Sequence, residues 1–249
     1  MSEISPSVTL LAHTPQPLAL IFAAYRQCYS AGSAADMWPQ LLEGNISREK
    51  QADFVRNVMS SGHTSPIEHV NFTFVLDGVS RALTHQLVRH RIASYSQQSQ
   101  RYVDAANFDY VVPPRIKADP EAYARFSACM AHIADAYAQL QHLLKTDGAG
   151  KSSNEDARFV LPQAAASRIV VTMNCRSLLN FFEHRTCERA QWEIRRVARM
   201  MLKQCTEVLP EIFRFAGPRC ERLGYCPEGS FGCGRYPARQ GDNSSTEAS

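Results

Sequence analysis

The run Arg89-His90-Arg91, followed by Ser94, Ser96, Gln97, Gln98, Ser99, Gln100 and Arg101, gathers the side chains best suited to chemistry. Arginine forks match phosphate oxygens two at a time. Short hydroxyls and amides both donate and accept, which suits the edge of a nucleobase or a flavin. Tyr95 and Tyr102 could stack on a ring or simply pack. Neighbouring residues of an extended chain point in opposite directions. Arg89 and Arg91 could therefore serve one anion while His90 faces another wall, or the set could sit between two ligands. No acidic residue lies between Asp77 and Asp104, yet Arg81, Arg89, Arg91 and Arg101 do. Exposed loops usually mix signs, so this segment reads as a local anion site rather than a solvated basic loop.

Other motifs carry less. Gly148–Ser153, "GAGKSS", imitates the end of a phosphate-binding P-loop, but Lys145 stands where that motif needs glycine, and no strand leads into it. No Gly-x-Gly-x-x-Gly follows a strand, and no His-Glu-x-x-His or paired Cys-x-x-Cys is present. Cys220, Cys226 and Cys233 are spaced more widely than paired zinc ligands, so they are read as reduced thiols and no metal is expected. His85, His132, His142 and His184, with Trp192, Met200 and Met201, are assigned to packing.

Composition sets the frame. The chain has 249 residues, 45% apolar and 20% charged, as in a globular protein with a core of ordinary size. A net charge of +3 gives no case for nucleic-acid binding. No apolar run approaches the roughly 18 residues of a membrane helix, and the first residues lack the basic region of a secretory signal. The eight cysteines are mostly scattered through apparent helices and strands. That pattern suggests reduced thiols in a cytoplasmic protein.

The elements that must position these residues follow from periodicity. Residues 7–12 read as a strand, 17–30 and about 48–59 as helices. Val70, Phe72, Phe74 and Leu76 alternate as a strand that Asp77-Gly78 should end. Residues 79–89 look helical, and 92–103 mostly loop. Asp119-Pro120 starts the clearest helix, which should end at Asp147-Gly148. Residues 155–162 form a short helix stopped by Pro162, 168–173 a β-branched strand, 174–185 a helix, and about 189–207 the last long one. The expectation is one α+β domain over residues 1–233, with a mixed or antiparallel sheet flanked by long helices. Residues 234–249 are polar and expected to be a disordered tail.

Arg-His-Arg, seven residues, then Ser99 is the hallmark of the flavin-dependent thymidylate synthases, and the chain resembles that family. "HTSPIEH" (63–69), "QLVRHR" (86–91), "ARFVLP" (157–162) and "NCRSLLNFFEHRTCERAQWEIR" (174–195) match in the same order. The resemblance implies that FAD is bound by Ser65, Arg89, His90, Arg91, Gln97, Asn174, Arg176 and Asn180, with His63 and Glu68 near it. It implies that dUMP is held by Gln86, Leu87, Val88, Arg89, Gln97, Gln98, Ser99, Gln100, Arg101, Arg158 and Arg185. Arg185, by family position near the uracil, would stabilise negative charge on the activated ring. Many members carry Asn-Glu where this chain has Ser96-Gln97.

The implied reaction is reductive methylation. 5,10-Methylenetetrahydrofolate gives one carbon to C5 of dUMP, NADPH reduces the FAD, and tetrahydrofolate leaves. Ser99 reads as a nucleotide ligand rather than a nucleophile, and Cys175 and Cys187 as packing residues. Family members are homotetramers whose sites combine several subunits. Two other readings compete. A flavin- or nucleotide-binding protein without the methylation activity would lose Arg158 or Arg185, and both are present. An RNA-binding module stacking bases on Tyr95 and Tyr102 would need a broader basic surface.

Overall fold

Phe72, Phe74 and Leu76 are fully buried in β2 (Asn71–Ser80), while Thr73 and Val75 between them are only partly covered. This alternation seats one face of a four-stranded sheet. The sheet contains β1 (Ser7–His13), β2, β3 (Ser94–Gln97) and β4 (Ala166–Asn174), in the spatial order β1-β2-β4-β3. The backbone amide of Arg81 donates to Ala165, just before β4, and that of Cys175, just after β4, donates to Val70. The pair is therefore antiparallel, and β3 lies on the other side of β4, with the Gln98 amide donating to Arg168.

The computed structural model describes residues 1–145 and 150–239, with the side chains of 150–152 excepted. The described helices are α1 (Pro17–Tyr29), α2 (Ala34–Leu42), α3 (Arg48–Ser60), α4 (Arg81–Leu87), α5 (Pro114–Lys117), α6 (Pro120–Leu143), α7 (Gly150–Ala157), α8 (Cys175–Arg185), α9 (Trp192–Val208), α10 (Pro210–Phe213) and α11 (Arg219–Leu223). The expected α+β class is what is seen. No described helix is long and apolar enough to cross a membrane.

The chain gathers into two compact units. The first comprises residues 1–9, 75–89 and 95–171. It holds α4 to α7 and a core of Phe108, Tyr110, Val112, Met130 and Ala165. The second comprises residues 10–74, 90–94 and 172–249. It holds α1 to α3 and α8 to α11. Its rings form a continuous file: Phe72 meets Phe213 (5.6 Å), Phe213 meets Phe182 (5.9 Å), Phe182 meets Phe181 (5.7 Å), and Phe181 meets His90 (4.9 Å). Edge-to-face packing of this kind adds to the burial of each ring.

Several local expectations need correction. The strand does not end at Asp77-Gly78. Gly78 takes φ +63°, and a Cβ there would lie 2.8 Å from the Ser5 carbonyl oxygen, so the glycine serves a close backbone approach within a continuing strand. Residues 94–97 form an edge strand, not a loop. Its inward residues are Tyr95 and Gln97, so the alternation is polar and leaves no apolar period. Helix α2 went unread because Gly32 and Pro39 look like breakers; Ser33 caps it by accepting from the Ala35 amide. Helix α6 begins as expected, with Asp119 accepting from the amides of Glu121 and Ala122, but it ends at Leu143. Asp147, Gly148 and the first residues of "GAGKSS" lie outside the described residues. Cys226 donates its amide to Pro237 (2.7 Å), and residues 240–249 also lie outside.

Candidate active site

In the second unit His90 stands at the end of the aromatic file, edge-on to Phe181. Arg185, the last residue of α8, donates from Nε to His90 Nε2 at 2.8 Å. An imidazole nitrogen that accepts from a guanidinium is unprotonated there. Burial pushes the His90 pKa down to about 4, and the charges of Arg185 and His184 push the same way. A neutral ring thus fixes the orientation of Arg185. The bond engages Nε of that guanidinium. Burial also lowers the pKa of Arg185, from a value so high that the group stays cationic at neutral pH. Both residues line a cavity of about 230 Å³, together with His184, Cys187, Arg189 and Cys220. Cys187 is a free thiol, partly exposed in this lining. Cys175 is buried in full, as expected of a packing thiol.

The remaining residues of that unit come from three elements. His63 is held by two tyrosines of α1. Tyr25 Oη donates to its carbonyl (2.6 Å), and Tyr29 Oη bonds Nδ1 (2.7 Å), while His63 Nε2 meets Ser65 Oγ (3.1 Å). Tyr25 and Tyr29, four apart, share a helix face, and this spacing was the unread signal for them. Asn174 caps α8, its Oδ1 accepting from the Ser177 amide (2.8 Å). Arg176 pairs directly with Glu68 at the surface, a bridge of the kind worth about 0–1 kcal/mol. Asn180 lies exposed on α8, its carbonyl bonded to His184 Nδ1. Arg91 is exposed too.

In the first unit, α4 and β3 carry the other predicted residues. Gln86 and Leu87 end α4, Val88 caps it, and Arg89 follows with an exposed side chain. Leu87 is wholly buried, so any contact it offers a ligand is through its backbone. The inward face of β3 is tied down twice. Tyr95 Oη donates to the Leu87 carbonyl (2.8 Å), and Gln97 Nε2 donates to Thr84 Oγ1 (3.0 Å) and Ser167 Oγ (3.1 Å). Sequence reading missed Thr84 and Ser167, because two lone hydroxyls in a helix and a strand carry no pattern. Gln98, Ser99 and Gln100 line a cavity of about 410 Å³ with Asp77, Asp104 and Arg168. Arg101 donates to Glu155 Oε2 at 2.7 Å, and Arg158 Nε donates to the Glu155 carbonyl at 3.1 Å. Arg158 also leans over the exposed ring of Phe159.

Fold and site together define an α+β protein whose clefts present guanidinium, imidazole and amide groups, the chemistry of anionic heteroaromatic ligands. Comparison with known proteins narrows this. A family model described as thymidylate synthase complementing protein matches residues 9–211. A flavin-dependent thymidylate synthase of Nitratidesulfovibrio vulgaris is 65% identical over 242 residues, covering 96% of this chain and 99% of that one. One of Clostridium tetani is 46% identical, covering 92% and 93%. Among solved structures, a UMP/dUMP methylase of Streptomyces cacaoi bound with 5-Br dUMP superposes with a TM-score of 0.71 at 22% identity, covering 86% and 95%. A flavin-dependent thymidylate synthase of Helicobacter pylori, complexed with FAD and dUMP, gives 0.64 at 20%, covering 85% and 99%. These two likenesses concern the fold. The chain belongs to the flavin-dependent thymidylate synthase family.

Proposed function

We propose that the chain methylates dUMP to dTMP. The balanced reaction takes dUMP, 5,10-methylenetetrahydrofolate, NADPH and one proton to dTMP, tetrahydrofolate and NADP⁺. The observation that carries the reading is the Arg185–His90 bond in a chain 65% identical to a named member of the family.

The residues fit the groups they would hold. In the second unit His63, Ser65, His90, Arg91, Asn174, Arg176 and Asn180 offer the cations, amides and hydroxyl that a dinucleotide with two phosphates and a polar ring edge requires. They are the FAD set, with Arg89 and Gln97 of the first unit shared between FAD and dUMP. Bound FAD, once reduced by NADPH, supplies the hydride. Gln86, Leu87, Val88, Arg89, Gln97, Gln98, Ser99, Gln100, Arg101 and Arg158 belong to dUMP. Arg185 completes that set. Its Nη groups stabilise negative charge on the uracil, and neutral His90 holds them in place.

The working form is a homotetramer whose sites draw on several subunits. Residues 1–233 act as one catalytic domain, a reading supported by a family match that runs unbroken through residues of both units. Eight free thiols support a cytoplasmic location.

The test is the visible spectrum of the purified protein with FAD. Flavin bands should bleach with NADPH and dUMP, then recover when methylenetetrahydrofolate is added anaerobically, with dTMP formed. A protein that binds no FAD would overturn the reading.

A further inference from the structure

Two guanidinium groups of the first unit are tied to one acidic residue. Arg101 is bonded to the Glu155 side chain and Arg158 to the Glu155 carbonyl. Arg81 brings a third. It opens α4, after the cap made by Ser80 Oγ on the Leu83 amide. Backbone bonds pin this start of α4 beside the segment that follows Arg158: Arg81 N–H to the Ala165 carbonyl and Ala82 N–H to that of Gln163, each 3.1 Å. Burial, and then the charge of Arg158, hold the Arg81 guanidinium below its ordinary pKa.

Among the described residues neither Arg81 nor Arg158 has a carboxylate within ion-pair distance. Like charges brought together under partial burial cost free energy unless an anion lies between them. Arg101 is already matched by the Glu155 carboxylate, which leaves the two positive charges of Arg81 and Arg158. A phosphate monoester at neutral pH carries about two negative ones.

Building on the dUMP reading above, we propose that Arg81 is a third guanidinium ligand of the nucleotide's phosphate, beside Arg101 and Arg158. It makes the site select the 5′-monophosphate over the free nucleoside. None of the residue sets implied by the family resemblance contains Arg81. Its neighbour one turn along α4, Thr84, belongs to the neutral network of Gln97 and Ser167. That network holds no carboxylate to compete for Arg81.

The test compares wild type, Arg81→Gln and Arg81→Lys, each loaded with FAD, in binding of dUMP and of deoxyuridine and in steady-state turnover. Arg81→Gln should weaken dUMP about ten- to hundredfold, the effect of one lost charge-assisted hydrogen bond, and raise KM while kcat stays within about twofold. Deoxyuridine binding should not change, and Arg81→Lys should restore part of the loss. The unliganded melting temperature of Arg81→Gln should equal or exceed that of wild type, because the repulsion from Arg158 is gone. Unchanged dUMP affinity, or equal loss of dUMP and deoxyuridine, would overturn the assignment. Wild type that neither binds nor methylates dUMP would instead sink the functional reading on which it rests.

Discussion

At the scale of single residues, the consequential fact is that His90 is neutral while it touches a cation. Its pKa of about 4 lies below the ordinary 6.5, first because it is buried and then because Arg185 and His184 are charged nearby. The sign follows from linkage. Between pH 6.5 and about 4 the unfolded chain binds a proton at this ring that the folded chain does not. The contribution to stability is therefore complete above pH 6.5, falls with pH through that window and is lost below about 4. NMR titration of the His90 ring in the ligand-free protein should give a midpoint near 4, and Arg185→Met should raise it; a midpoint near 6.5 would mean the ring is not packed as described. A second prediction concerns Arg185. Arg185→Ala should keep FAD bound, read from its absorbance, and cut kcat by about 10²–10³-fold, the usual loss of an electrostatic donor in a closed site. Retained turnover would remove Arg185 from that role.

At the scale of elements, α8 does two jobs with one residue. Asn174 caps the helix through Oδ1 and is also a proposed flavin ligand. The roles separate by substitution. Asn174→Asp preserves the acceptor and should leave the melting temperature nearly unchanged, whereas Asn174→Ala should cost about 1 kcal/mol. If the amide of Asn174 holds the flavin, both variants lose FAD in an equilibrium binding assay. If only the cap matters, Asn174→Asp binds FAD normally. The same helix was legible from sequence: an Asn cap, an amphipathic run, and Arg185 in the last turn, where a cation suits the helix dipole. Strand β3 was not, because an edge strand tied through Tyr95 and Gln97 leaves no hydrophobic alternation to read.

At the scale of the whole molecule, the proposed homotetramer has two measurable consequences. Light scattering should return four times the chain mass of 27.9 kDa. Mixing Arg158→Ala chains with Arg185→Ala chains, each inactive alone, should restore part of the activity, because some mixed tetramers assemble an intact site from different subunits. No recovery after exchange would mean that each site is drawn from a single chain.

Most of the residues proposed for the chemistry can be named from the order of amino acids alone. Arg89-His90-Arg91, Ser99, Arg158 and Arg185 sit in ordered blocks, and the α+β class, the main helices and β4 follow from period and caps. These are local properties, carried by neighbours in the chain. What the tertiary structure decided was partnership. His90 is 95 residues from Arg185, Gln97 is 70 from Ser167, and Arg81 feels the charge of Arg158 because α4 starts beside the segment that leads into β4. Side-chain charge state and orientation depend on such distant neighbours and on exclusion of water. No spacing within a single stretch of chain encodes either of them.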